Sequence, residues 1–142
     1  MLTHSGRFKL AHSDVTCENF DGEYVVLNLA SGQYFALSQS ASIILDGILK
    51  GFDVRAITET LAEGAAAKGD EVDKLLAELI HYRLISPEVG ADPVSLTAEW
   101  ADAARAIDDP LLLEVFNDIA DLIAADPIHE SDEGAGWPAA KQ

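Results

Sequence analysis

The stretch EYVVLNLASGQYFAL, Glu23–Leu37, decides the fold of this 142-residue chain. Its two ends, EYVVLN and YFAL, are rich in valine, leucine and aromatic residues, which are typical of β-strands. Between them lies Gly32, which can adopt the positive φ that a tight reversal requires. The stretch therefore predicts a β-hairpin.

A further strand is predicted immediately before the hairpin. The residues VTCENF, Val15–Phe20, are short and partly β-branched, and the dipeptide Asp21-Gly22 that follows is a strong turn signal. The three strands follow one another through short turns. They predict a three-stranded antiparallel sheet.

Helices are predicted after Leu37, where the apolar period changes from two to about 3.6. The pattern predicts a first helix over 39–50 with Ser38 as its N-cap, and a second helix capped by Asp53. A small linker at 65–69 separates them from a third helix, which we expect Asp70 to cap. Sheet and helices together predict an α+β fold.

The segment EVGADP, Glu88–Pro93, indicates a boundary, because it combines Gly, Pro and acidic residues without periodicity. We therefore expect a first domain over residues 1–87 and an acidic helical extension over 88–142. Two helices are expected in the extension, one over 94–106 and one that starts at Asp109-Pro110. The tail after residue 126 has no period and is expected to be flexible.

The charge of the chain is unevenly distributed. Residues 1–86 carry 7 Lys and Arg against 12 Asp and Glu, a net −5, whereas residues 87–142 carry 2 against 13, a net −11; together they give the −16 of the chain. Nucleic acid and anionic membranes are held mainly by clustered Lys and Arg, so we expect neither as a partner.

Composition also limits the cellular location and the cysteine chemistry that we expect. Hydrophobic residues make up 49% of the chain, but no apolar run approaches a membrane span and the N-terminus lacks a secretory signal, so we expect a cytoplasmic protein. Cys17 is the single cysteine, which excludes an internal disulfide. A small buried residue is the ordinary interpretation of such a cysteine.

The order of these elements resembles the PqqD family, the winged-helix-like recognition elements of ribosomally synthesised and post-translationally modified peptides (RiPPs). The matching residues read FDGEYVVLNLASGQYFALSQSASIILDGILKGFDVRAITETLAEG and then DEVDKLLAELIHYRLI, between Phe20 and Ile85. Where relatives often have a tryptophan in the first helix, this chain has Ile43-Ile44-Leu45, which keeps the apolar character. The resemblance does not cover the acidic extension.

The resemblance implies that a precursor leader peptide adds as an extra strand beside the third strand, clamped by the third helix. An edge strand makes this workable, because its unpaired N–H and C=O groups can pair with any extended peptide. The residues that we expect to bind the peptide are Tyr34, Phe35, Ala36, Leu37, Leu75, Glu78, Leu79, Tyr82 and Arg83. Tyr34 and Phe35 alternate faces, so one of them is expected to be core.

No catalytic motif is recognisable: there is no Gly-rich phosphate loop, His-Glu-x-x-His pair or nucleophile elbow. We therefore expect no catalytic residue, no cofactor and no metal. The closest approach to a metal site is the run His129-Glu130-Ser131-Asp132-Glu133, which a flexible tail would hold poorly. In the same tail, Ile128 and Trp137 are apolar anchors that we expect to dock on the chain's own domain or on a modifying enzyme.

The sequence favours an adaptor that binds a leader peptide and presents it to a separate modifying enzyme. The extension would then serve enzyme docking, dimerisation or groove control. Two alternatives stay open: a winged-helix regulator or interaction module, and a small metal-dependent enzyme that uses the tail. A DNA reader needs a basic recognition helix, whereas Lys74 and Arg83 lie among several acidic residues of the third helix.

Overall fold

The computed structural model describes residues 5–117 of the chain. Its strands are β1 Phe8–Leu10, β2 Val15–Phe20, β3 Glu23–Asn28, β4 Gln33–Leu37, β5 Ile85–Pro87 and β6 Leu113–Phe116. Its helices are α1 Gln39–Leu49, α2 Val54–Gly64, α3 Ala66–His81 and α4 Ala98–Ala106. The α+β class is confirmed.

The main sheet has four strands in the order β2-β3-β4-β6, all antiparallel. The three predicted strands are confirmed, but the expectation of a three-stranded sheet is wrong, because β6 joins at the β4 edge. A second, two-stranded sheet pairs β1 with β5. The turn between β2 and β3 places Asp21 and Gly22 at φ of 60° and 89°, as the predicted reversal requires.

Helices α1 and α2 begin at the predicted caps. The Ser38 side chain accepts from the Ala41 amide, and the Asp53 side chain accepts from the Arg55 amide. Helix α3 differs from its prediction, because it begins at Ala66 and Asp70 does not cap it. Of the residues that we interpreted as a linker, 66–69 are helical and Ala65 is extended between α2 and α3. Gly69 is buried where α3 meets α2, and an added Cβ there would lie 2.7 Å from the Ala62 Cβ.

The extension contributes α4 to the buried core. The helix begins after Thr97, whose Oγ1 accepts from the Trp100 amide, so it starts later than the predicted residue 94. Trp100 packs edge-on against Phe52, with ring centroids 5.4 Å apart, and belongs to the same core as the sheet. A Cβ on Gly47 would lie 2.7 Å from the Trp100 ring, which explains a glycine inside α1.

The predicted helix starting at Asp109-Pro110 is wrong for the residues that the structure describes, because Leu113–Phe116 form β6. Pairing with β4 satisfies the backbone in place of helical hydrogen bonds. The rest of that predicted helix, the flexible tail and both tail anchors lie outside the described residues. The domain boundary after Pro87 stays a prediction.

Candidate functional site

The candidate site is the β4 edge of the main sheet together with the face of α3 nearest to it. Along β4 the side chains alternate, so Phe35 and Leu37 are 0% and 3% exposed, whereas Tyr34 and Ala36 are partly exposed on the other face. Phe35 is therefore the core member of the aromatic pair. Its neighbour Tyr34 is available to a strand laid along the edge.

The β4 edge is occupied by β6 of the same chain. The strands are antiparallel, and the Cα partners are Tyr34 with Phe116, Phe35 with Val115, Ala36 with Glu114, and Leu37 with Leu113. Cross-strand partners share a face of the sheet. The side chains of Leu113 and Val115 therefore lie on the core side, and both pack against the buried cluster.

Two side-chain contacts fix the C-terminal end of this pairing. The Tyr34 and Phe116 rings stack on the outer face with centroids 4.6 Å apart and an angle of 10° between their planes. The Gln33 Nε2 donates to the Asn117 Oδ1 at 3.1 Å. A stacked aromatic pair of this kind contributes about 1 kcal/mol beyond the area that it buries.

Strand β6 belongs to a longer segment, residues 109–117. The N-terminal end of this segment is held at the start of α1. The Asp109 carboxylate accepts from the Gln39 amide at 3.1 Å and from the Ser40 amide at 3.0 Å. The Ser40 hydroxyl lies 3.0 Å from the Asp109 carbonyl and 3.1 Å from the Pro110 carbonyl, and donates to them. A carboxylate at this position satisfies free N–H groups and lies at the positive end of the helix dipole.

The Ser38 backbone continues the ladder between these two ends. Its amide donates to the Leu112 carbonyl at 3.0 Å, and its hydroxyl accepts from the Leu112 amide at 3.0 Å. The segment is therefore held at intervals from Asp109 to Asn117, by hydrogen bonds and by one ring stack.

Helix α3 borders the other side of the segment. A cavity of about 170 Å³ lies between them, lined by Glu71, Lys74, Leu75 and Glu78 of the helix and by Leu111, Leu112 and Leu113. Leu75 and Leu79 are buried and Glu78 is partly buried. Near the other end of α3, the Tyr82 ring lies 5.1 Å from the Phe35 ring.

The structure thus brings most of the expected peptide-binding residues to one place, but in two roles. Phe35, Leu37, Leu75 and Leu79 form the core floor behind the edge. The remaining residues are partly or fully exposed: Tyr34, Ala36, Glu78, Tyr82 and Arg83. Arg83 follows the C-terminal end of α3, in a left-handed conformation with φ of 61°.

Charged groups near the segment come mainly from α3. The Lys68 Nζ donates to the Asp109 carbonyl at 3.4 Å and lies 3.9 Å from the Glu71 Oε1. Partly exposed pairs of this kind contribute little energy, about 0 to 1 kcal/mol. They orient the segment at its N-terminal end more than they stabilise it.

Burial sets the protonation of two groups on the inner face of the sheet. It raises the pKa of the Cys17 thiol to about 11, with smaller contributions from the carboxylates of Glu18 and Asp46. It also raises the pKa of Tyr24 to about 12, and Asp46, which accepts from its hydroxyl, adds to this. Cys17 therefore stays a thiol near neutral pH, which makes it a poor nucleophile.

Within residues 5–117, no three His, Cys, Asp or Glu side chains are grouped so that they could hold a metal ion. The tail run that begins at His129 lies outside these residues. No helix in the described part of the chain is long and apolar enough to span a membrane.

Several residues of the site were not predicted: Asp109, Leu111, Leu113, Val115 and Phe116. One signal could have found them. In LLLEVF, Leu111–Phe116, the residues Leu111, Leu113 and Val115 recur at the period of two that is typical of a strand. The helix start signal at Asp109-Pro110 and the four-residue spacing of Leu112 and Phe116 fit a helix equally well.

Comparison with known proteins bears on the part of the chain that carries β4 and α3. Residues 23–85 match the family described as Coenzyme PQQ synthesis protein D (PqqD). No match to the chain was found among curated proteins or among solved structures. The match spans the hairpin and helices α1 to α3, and it ends before α4 and β6. Residues 23–85 are therefore similar to the PqqD family, and this supports a PqqD-like RiPP recognition element in that part of the chain.

Proposed function

We propose that the chain binds the leader segment of a ribosomally synthesised precursor peptide by strand addition at the β4 edge, and presents it to a separate modifying enzyme. The chain itself acts as a noncatalytic adaptor in the cytoplasm. The family match supports a peptide-binding role in RiPP biosynthesis.

One observation carries the proposal: the β4 edge pairs with an antiparallel strand, β6, that lies outside the family match. Residues 34–37 pair in register with residues 113–116, while α3 borders the same strand from the other side. An edge that pairs with one extended segment offers the same N–H and C=O groups to another.

Side chains supply the selectivity, because backbone pairing is largely independent of sequence. An inward residue of the guest meets Phe35 and the apolar side of α3, and an outward aromatic residue meets Tyr34. About four backbone hydrogen bonds and two or three apolar anchors, less the cost of association, give an affinity on the order of micromolar.

The test is a titration of the full chain with a fluorescently labelled leader, taken from a precursor peptide encoded beside this chain's gene. We expect saturable binding, followed by fluorescence anisotropy. The Tyr34→Ala variant should weaken binding roughly 2- to 10-fold, because it removes the ring against which the guest stacks. Folded protein that binds none of the neighbouring precursors would contradict the proposal.

A matched control is the variant Phe20→Ala. Phe20 is an exposed aromatic residue at the end of β2, which is the opposite edge of the main sheet. Its truncation should leave the affinity for the leader unchanged. An equal loss in both variants would mean that the peptide does not use the β4 edge.

A further inference from the structure

We propose that residues 109–117 are a built-in occupant of the leader site, so that a leader binds only by displacing them and must carry the same residue pattern. This inference rests on the proposed function, because it takes the β4 edge as the leader's site. It goes further by naming the segment that competes for that site and the kind of peptide that can displace this segment.

The segment contacts the domain as a bound peptide would. It is extended, its backbone pairs with β4 and Ser38, and the side chains of Leu111, Leu113 and Val115 alternate toward the core. The intervening side chains face away from it. Each of these features is what strand addition requires of a peptide in trans.

The segment is also bound loosely enough to leave. Its three inward residues are only partly buried, and Leu112 and Phe116 are 55% and 38% exposed. The cavity of about 170 Å³ against α3 shows that the fit is incomplete. By contrast, Val26 and Phe35 of the two neighbouring strands are fully buried. Departure of β6 would therefore expose little apolar area compared with loss of β3 or β4.

The contacts define the chemistry of a competing leader. It needs a carboxylate at the start of α1 in the place of Asp109, then apolar residues at alternate positions in the places of Leu111, Leu113 and Val115. An aromatic residue in the place of Phe116 would stack on Tyr34. A peptide with this pattern can reproduce the cap, the apolar contacts and the ring stack of the resident segment.

Tethering gives the resident segment an advantage. A short tether supplies an effective concentration on the order of millimolar, whereas the incomplete fit gives the segment a weaker intrinsic dissociation constant than a leader's, on the order of 0.1 mM. The site is then occupied in cis about 10 times more often than it is open, and an external peptide binds about tenfold weaker. The resident segment thus sets a threshold of leader concentration or affinity.

The first experiment uses a labelled synthetic peptide of residues 108–117, DDPLLLEVFN, titrated into full-length protein. The wild type should show about tenfold weaker binding than Val115→Glu, whose new charge falls on the inward face and releases β6. The matched control Glu114→Ala changes the charge of the same segment on its exposed side. It should behave like the wild type.

A second releasing variant, Glu114→Pro, is included in case Val115→Glu does not fold. Glu114 is exposed, so this substitution removes a backbone N–H donor of β6 without burying a charge. Folding of each variant is checked by circular dichroism and thermal unfolding. A folded releasing variant that does not bind the peptide overturns the proposal. So does a wild type that binds it as tightly as the releasing variants.

Hydrogen exchange in the unmodified chain tests displacement without any substitution. The Ser38 amide faces β6, since it donates to the Leu112 carbonyl, and amides alternate along an antiparallel strand. The amides of Ser38 and Ala36 should therefore exchange at least tenfold faster than those of Phe35 and Leu37, which face β3. Equal exchange of the two sets would mean that β6 opens only with the whole sheet, and would overturn the proposal.

The same titrations separate this proposal from the proposed function. A genuine leader that binds the wild type and the Val115→Glu variant equally well rejects displacement and leaves the adaptor role intact. A releasing variant that binds the 108–117 peptide but no precursor leader rejects the adaptor role and leaves the resident strand intact.

Discussion

At the scale of single residues, Asp109 shows how a correct local signal can act on another element. The dipeptide Asp109-Pro110 predicts the start of a helix, and Asp109 does cap a helix, but that helix is α1. The Ser38 side chain caps the same helix from within. Two residues far apart in sequence thus share the free N–H groups of one helix end.

Replacing Asp109 with alanine should lower the free energy of unfolding by about 1 kcal/mol, the usual cost of losing a cap. It should also increase hydrogen exchange at the Gln39 and Ser40 amides, which its carboxylate accepts from. Asp108→Ala is the control, because Asp108 is the exposed neighbour with the same charge. Equal effects of the two substitutions would indicate general electrostatics and not a cap.

Cys17 gives a prediction about pH at the same scale. Burial raises the pKa of its thiol from 9.0 to about 11, so at pH 8.5 the folded chain holds roughly 100-fold less thiolate than the unfolded chain. Alkylation by iodoacetamide should be slower in native protein by at least that factor. Because the pKa of this thiol is higher in the folded chain, its contribution to the free energy of unfolding is complete below pH 9 and falls as the pH rises toward 11. Equal alkylation rates in native and denatured protein would contradict this.

At the scale of elements, the strands and helices from Val15 to Gly64 follow from periodicity, turn residues and caps, and α3 does so apart from its two ends. The two strand pairings that close the fold, β1 with β5 and β4 with β6, do not follow from these local signals. Strand β1 has three residues and pairs with β5 across most of the domain, as Phe8 with Pro87. Strands so short carry too little pattern to be recognised, and the partner of a strand is not encoded in its own period.

Gly69 controls how closely α3 packs on α2. In Gly69→Ala the added Cβ would lie 2.7 Å from the Ala62 Cβ, and neither helix can yield locally. We expect a loss of about 1 to 3 kcal/mol in chemical denaturation, although alanine favours a helix. In the control Gly64→Ala, no atom lies within 4 Å of the new Cβ, so stability should be unchanged or slightly higher. A stabilised Gly69→Ala variant would rule out this close contact.

At the scale of the whole molecule, Trp100 of α4 and strand β6 are among the contacts that join the extension to the core. Trp100 lies over Gly47 and Phe52. This buried anchor and the partly exposed strand differ in how easily they can be released. The difference allows α4 to stay in place while β6 exchanges with a peptide.

Trp100→Ala should therefore cost about 3 to 5 kcal/mol in the free energy of unfolding, as other large-to-small core substitutions do. The loss should appear in a single cooperative transition, since Trp100 shares the buried cluster with the sheet. Glu99→Ala, an exposed neighbour on α4, should change stability by less than about 0.5 kcal/mol. A small effect of Trp100→Ala would mean that α4 is not part of the folding core.

The sequence by itself determined the hairpin, the helices that follow it and the acidic character of the extension. These depend on local properties: the period of apolar residues, the φ freedom of glycine and the side chains that cap helices. Only the tertiary structure decided that Leu113–Phe116 form a strand and that this strand lies on the β4 edge. The physical reason is that an edge presents N–H and C=O groups common to nearly all residues, so which segment reaches it depends on the path of the whole chain.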